Sequence, residues 1–259
     1  MTGNRLWIIY CFASGRGLQI EELRVPDAVK NGSETSVILD CDYSLLETDK
    51  THGLVVKWYF NDNPTPVYQW IPNQKPQVFG VLRGKINLEY LASEEELKKH
   101  RALQINNPTP DLTGDYKCTV STFFNETSQT KRMVIYVPEK SLEVTQTKQK
   151  DNSAVNVTCV AEGVFPEPSL AILREERADT EEEAQVQTTL KEDGVYDIIA
   201  SILLDDKHLK SPTKFFCELR IPEANYTVKT SSIYYPDAAS SRSLVTWLLL
   251  FPLLLCLRL

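Results

Sequence analysis

The one covalent chemistry that residue type and spacing suggest in this 259-residue chain is oxidative pairing of cysteines. Cys41 and Cys118 lie 77 positions apart, and Cys159 and Cys217 lie 58 apart. Trp58 falls between the first two, and Tyr116 stands two residues before Cys118. That frame suits two β-sheets cross-linked by a disulfide, with a Trp packed on the bridge and a Tyr hydroxyl tying down a corner. The shorter second span suits a sandwich lacking the extra edge strands of the first. Each closed loop should contribute about 4 kcal/mol by the chain-entropy estimate.

Other chemistries find no constellation. His52, His100 and His208 stand apart from one another, and no glycine-rich phosphate loop occurs. No Cys-x-x-Cys or His-Glu-x-x-His spacing points to a metal, and Cys11 and Cys256 lie in end segments expected to be removed. No catalytic residue, metal or cofactor is expected; the chain reads as a non-enzyme whose function lies on a surface.

The ends indicate the compartment. Residues 1–17 carry Arg5, an apolar run and then small residues, the pattern of a secretory signal. Asn-x-Ser/Thr triplets at Asn31, Asn125, Asn156 and Asn225 are candidate glycosylation sites and agree with export. Near the other end, Ala238, Ala239 and Ser240 precede a short polar break, and an apolar tail occupies residues 244–259. Its apolar run, residues 244–257, reaches only about 21 Å at 1.5 Å per residue, against a hydrocarbon core of about 30 Å. This matches a glycosylphosphatidylinositol (GPI) signal with Ala238, Ala239 or Ser240 as attachment residue, although the polar spacer is short for one. A single-pass helix and a secreted product remain the alternatives. Removing both ends deletes Arg5, Arg16, Arg242 and Arg258 but no acid, taking the net charge from −7 to −11. An acidic surface of this kind disfavours nucleic acid as a partner.

Period-2 alternation places the elements that must hold the cysteines. Val37, Leu39 and Cys41 face inward with Ser36, Ile38 and Asp40 outward, and Val56, Trp58 and Phe60 share the next inner face. Residues 66–71 and 77–81 read as extra edge strands, and residues 86–91 as a further strand. Ser93-Glu94-Glu95-Glu96 is a capping box that predicts one or two helical turns, with Glu94–Lys98 and Glu95–Lys99 at i,i+4; a solvated charged loop is the other reading. Strands follow at 103–105, 116–121 and 131–137. Past an elbow at Pro138-Glu139-Lys140, strands surround Cys159 and Cys217, but Leu173 stands where the packing Trp is expected and Phe215 where the corner Tyr is expected. The acidic run 175–183 reads as a solvated loop. The fold class is all-β: two tandem immunoglobulin-like sandwiches, variable-type over residues 18–138 and constant-like over 139–236, then a stalk over 237–243.

The runs Leu23-Arg24-Val25-Pro26-Asp27-Ala28-Val29, Leu39-Asp40-Cys41-Asp42-Tyr43, Val56-Lys57-Trp58-Tyr59, Val67-Tyr68-Gln69-Trp70-Ile71-Pro72 and Leu112-Thr113-Gly114-Asp115-Tyr116-Lys117-Cys118 resemble the first domain of the arthropod Beaten path family. The resemblance covers residues 23–137 closely and the second domain in architecture. It implies a neuronal surface or secreted ligand that binds a Sidestep-like receptor in trans, in axon guidance or synaptic partner choice. An immune-type or humoral recognition protein, as in butyrophilin-like molecules, fits the same architecture. Variable-type domains commonly recognise through one sheet face, where alternation puts Lys57, Tyr59, Lys117 and Thr119, with Tyr68 and Trp70 one strand over; these six are the expected partner-binding residues. A glycan at Asn125 is expected to cover Phe123 and Phe124 and tune access to that face.

Overall fold

The computed structural model describes residues 17–46, 53–150, 153–177 and 180–236. The expected signal peptide and the attachment residues Ala238, Ala239 and Ser240 lie outside them, apart from residue 17. The chain forms two compact units, one running to Pro138 and including Pro222–Tyr226, the other made of Glu139–Ile221 and the residues from Thr227 on.

The first unit contains β1 (Gln19–Arg24), β2 (Ala28–Lys30), β3 (Ser36–Ser44), β4 (Val55–Phe60), β5 (Tyr68–Trp70), β6 (Gln77–Val78), β7 (Leu103–Asn106), β8 (Gly114–Ser121) and β9 (Glu126–Tyr136). Strands β1-β3-β7 form one sheet and β2-β9-β8-β4-β5-β6 the other. Alternation buries Val37, Leu39, Cys41 and Tyr43 of β3 against Val56 and Trp58 of β4 and Tyr116, Cys118 and Val120 of β8. Cys41 and Cys118 are bonded across the sandwich. Tyr116 donates its hydroxyl to Leu112 O at 2.8 Å, closing the expected corner. Asp111, one turn earlier, accepts from Lys85 Nζ at 2.8 Å. Partial burial works to raise the Asp111 carboxyl, but its bonds to Lys85 and Thr109 prevail and hold it below the ordinary range.

The segment between β6 and β7 departs from expectation. Residues 86–91 form no strand beyond a single bridge between Ile86 and Ile105. The ladder starts, with Asn106 N on Lys85 O and Asn87 N on Gln104 O, but the Asn87 side chain then captures Glu89 N and turns the chain away. Residues 93–100 form turns and no helix, although Ser93 Oγ accepts from Glu95 N as a cap would. Three buried aromatic donors take the carbonyls a helix would use: Tyr43 Oη donates to Leu97 O, Tyr68 Oη to His100 O at 2.8 Å, and Trp58 Nε1 to Arg101 O at 3.1 Å. Burial pushes the phenols of Tyr43 and Tyr68 above their ordinary value, which keeps them donors. The lysines follow suit: Lys98 pairs with Asp42 and Lys99 with Glu96, and the expected i,i+4 pairs are absent.

Arg101 completes this seam. Its guanidinium holds Asp40 through Nε at 2.9 Å and Nη2 at 3.1 Å, and also bonds Asp42. Asp40 therefore faces outward, as alternation requires, yet lies buried beneath Arg101, with Arg24 reaching it at 3.2 Å.

The second unit contains β10 (Ser141–Lys148), β11 (Ala154–Val164), β12 (Ser169–Arg174), β13 (Gln185–Leu190), β14 (Tyr196–Asp205), β15 (Thr213–Ile221) and β16 (Tyr226–Tyr234). Sheets β10-β11-β14-β13 and β12-β15-β16 give the four-on-three arrangement of a constant-type sandwich. Cys159 and Cys217 are bonded; Ile172, the register partner of Cys217, and Phe215 share its core face, whereas Leu173, expected in the packing position, pairs with Phe216 and is buried on the opposite face. The acidic run is not merely solvated: Glu182 N donates to Ile172 O at 2.9 Å, Glu182 pairs with Arg174, and Glu181 pairs with Arg220 at 2.6 Å.

Because Asp40 has little access to water and would keep only the half-exposed Arg24 as counter-charge, Arg101→Met should destabilise the first unit by about 3 kcal/mol, the low end for breaking a buried pair. Asp40→Asn added to it should return part of the loss, measured by urea unfolding followed through Trp58 fluorescence. Equal stability of the single variant and the parent would show that the pair contributes nothing.

Candidate recognition face

The outer face of the six-stranded sheet is assembled by strand register. Lys57 of β4 lies opposite Gln69 on one side and Thr119 on the other, and Thr119 lies opposite Ser128. One row along, Tyr59 lies opposite Lys117, and Lys117 opposite Thr130. The Lys117 ammonium sits 5.7 Å from the Tyr59 ring centroid, within cation–π range. Thr119 Oγ1 is buried with no hydrogen-bond partner among the described residues, an orphan donor at the centre of the face.

Tyr59 and Lys117 form the wall of a pocket of about 220 Å³ shared with Asp62, Asn63, Asp115 and Thr130. Its rim is the turn after β4, where Asn61 and Asp62 adopt φ of 49° and 53°, the left-handed pair that Asn and Asp tolerate. The turn is clamped to β8: Asn61 Oδ1 accepts from Asp115 N at 2.9 Å, and Asn61 N donates to Asp115 O at 3.0 Å. Gly114 makes the clamp possible, since a Cβ there would fall 2.2 Å from Asn61 Oδ1 and 2.6 Å from the Phe60 ring.

Of the six expected contact residues, the sheet brings Lys57, Tyr59, Lys117 and Thr119 together and turns Tyr68 and Trp70 the other way. Tyr68 pairs with Trp58 and Trp70 with Val56, so both share the core face and are 2% exposed. They serve the interior, Tyr68 through its bond to His100 O and Trp70 through a ring contact with His100 at 5.7 Å. Thr119 faces outward but is 6% exposed, because Lys57 and Ser128 flank it. Lys57, Tyr59 and Lys117 remain accessible.

At the β8–β9 tip, Phe123 and Phe124 are each 74% exposed. The Phe123 ring lies over Gly53, whose Cβ, if present, would be 2.8 Å from it. Asn125 beside them is exposed, as are Asn31 and Asn225, whereas Asn156 is half-buried on β11. Among the described residues, no group of His, Cys, Asp or Glu could hold a metal ion, and no helix is long and apolar enough to cross a membrane.

Neither a known family profile nor a curated protein matches the sequence. Solved structures do match in fold. Bovine butyrophilin is 16% identical with a TM-score of 0.62, covering 80% of this chain and 94% of that one. The D1-D2 structure of Rst is 14% identical with a TM-score of 0.51, covering 83% and 97%. The chain thus has the fold of two tandem immunoglobulin-like domains. Its disulfides and fold fit an extracellular or secreted protein.

Gly114→Ala should cost about 1–3 kcal/mol by overpacking against Asn61 and Phe60. Amide shifts of Asn61, Asp115 and Lys117 should move with it, and unchanged shifts at full stability would disprove the clamp.

Proposed function

We infer that this chain is a cell-surface recognition ligand of Beaten path type, engaging a Sidestep-like receptor in trans. The observation that carries the site is the polar outer face with Lys57, Tyr59 and Lys117 accessible around a pocket. An aromatic that is partly exposed and flanked by a cation is the kind of residue that anchors an interface. The resemblance of residues 23–137 to that family supplies the choice of partner. The ligand acts from the outer leaflet through a GPI anchor attached at Ala238, Ala239 or Ser240, in axon guidance or synaptic partner choice.

Tyr59→Ala and Lys117→Ala in the full chain should each weaken binding to displayed Sidestep-family ectodomains by at least about tenfold, or 1.4 kcal/mol, with the melting temperature little changed. Wild-type affinity in both variants would remove this face from the interface. Absence of binding across the receptor panel would turn attention to the second reading, an immune-type recognition protein, which the likeness to butyrophilin favours. Expression in neurons or in blood cells separates the two.

On intact cells, a phosphatidylinositol-specific phospholipase C should release the two domains into the medium. Retention at the surface, beside a control protein that is released, would favour a spanning helix.

A further inference from the structure

The outer face of the β10-β11-β14-β13 sheet is unlike the other exposed surfaces of its unit. Across its middle rows it carries Thr, Ser, Asn, Gln and aliphatic side chains, with the carboxylate of Glu143 at the edge opposite Val160, and no Lys or Arg. Ile199 is 42% exposed and Leu203 55%, while Val160, half-buried, lies directly opposite Ile199. Val160 and Ile199 make one exposed aliphatic pair and Leu203 lies one outward row further along β14, past Ser201 and Thr158, so a cover reaching all three must run along the strands. Asn156 sits among them, opposite Leu203 on β14 and opposite Thr147 on β10.

Asn156 opens the triplet Asn156-Val157-Thr158, and alternation puts Asn156 and Thr158 on this same outer face, with Val157 buried beneath. Asn156 Nδ2 donates to Thr158 Oγ1 at 3.3 Å, so the amide nitrogen leans along β11 toward Val160. From Asn156 to Val160 is about 13 Å at 3.3 Å per residue, a distance a core oligosaccharide can span.

We propose that an N-linked glycan on Asn156 lies along this sheet face as a built-in cover for Leu203, Val160 and Ile199. In the attachment step Asn156 Nδ2 forms a bond to C1 of an N-acetylglucosamine carried on a polyprenyl-diphosphate oligosaccharide donor. The C1–O bond to the diphosphate breaks, the diphosphate leaves with the electron pair, and the amide nitrogen loses one proton. The apolar faces of the sugar rings then lie on the aliphatic rows, and their hydroxyls present a hydrated surface. This role depends only on passage through a glycosylating secretory route and is separate from the recognition face on the first unit.

The test uses the full chain expressed in glycosylating cells. Peptide mass spectrometry should find Asn156 occupied. Asn156→Gln should raise the fluorescence of an apolar-surface dye severalfold and shift the protein toward oligomers in light scattering, and adding Ile199→Thr and Leu203→Thr should reverse both. Where Asn156→Gln fails to be secreted, trimming folded wild-type protein with an endoglycosidase that leaves one sugar per site should raise the dye signal, and the Ile199→Thr, Leu203→Thr background should remove that rise. An unoccupied Asn156 in the secreted protein would overturn the proposal, as would an unchanged dye signal after trimming. A wild-type dimer dissolved by Ile199→Thr and Leu203→Thr alone would assign the face to a second copy of the chain instead.

Discussion

The first unit depends on the satisfaction of three main-chain carbonyls. Leu97 O, His100 O and Arg101 O lie at the border of the core, and each meets the polar head of a large aromatic otherwise buried for packing. A buried acceptor left unmet costs about 1–3 kcal/mol, so three together weigh heavily against the stability of one small domain. The same three bonds tie β3, β4 and β5, which belong to both sheets, to one irregular segment. Arg101 then closes that segment from the outer side by neutralising Asp40 and Asp42.

This arrangement explains why a strand is missing where a variable-type sandwich would carry one. A ladder along residues 86–91 would satisfy main-chain groups locally, but here the segment leaves the sheet after one bridge and its successor docks by side-chain donors. Tyr68 and Trp70 are consumed in that docking. The outer face of the six-stranded sheet is therefore polar, with Tyr59 beside Lys57 and Lys117.

The disulfide frame, the sheet-forming runs and the corner tyrosine were legible in the sequence because each rests on local alternation or on a fixed spacing around a cysteine. Lys57, Tyr59 and Lys117 could be placed for the same reason, since they neighbour Trp58 and Cys118 on strands whose inner faces are marked. Tyr68 and Trp70 could not, because their facing depends on the cross-strand register that sets Tyr68 against Trp58, and a short strand flanked by prolines does not encode it. The Ser93 capping box misled for a related reason: its local preference for a helix lost to long-range donors such as Tyr43, which lies 54 positions from the Leu97 carbonyl it meets. The Asp40–Arg101 pair was hidden in the same way, since an outward Asp carries no sign of the arginine 61 positions on that will cover it.

The N-terminal segment changes sheets within a few residues. Strand β1 runs antiparallel to β3, and after Pro26 strand β2 runs parallel to β9, with Val134 N on Asp27 O and Asn31 N on Tyr136 O extending the ladder at both ends. Tension applied between residue 18 and Pro138 would load this parallel seam lengthwise, so its hydrogen bonds share the force and must fail together. An antiparallel hairpin pulled at its open end yields one bond at a time. The first unit is thus built to resist being drawn out along its own chain, a mechanical property suited to a domain held between two surfaces that move apart.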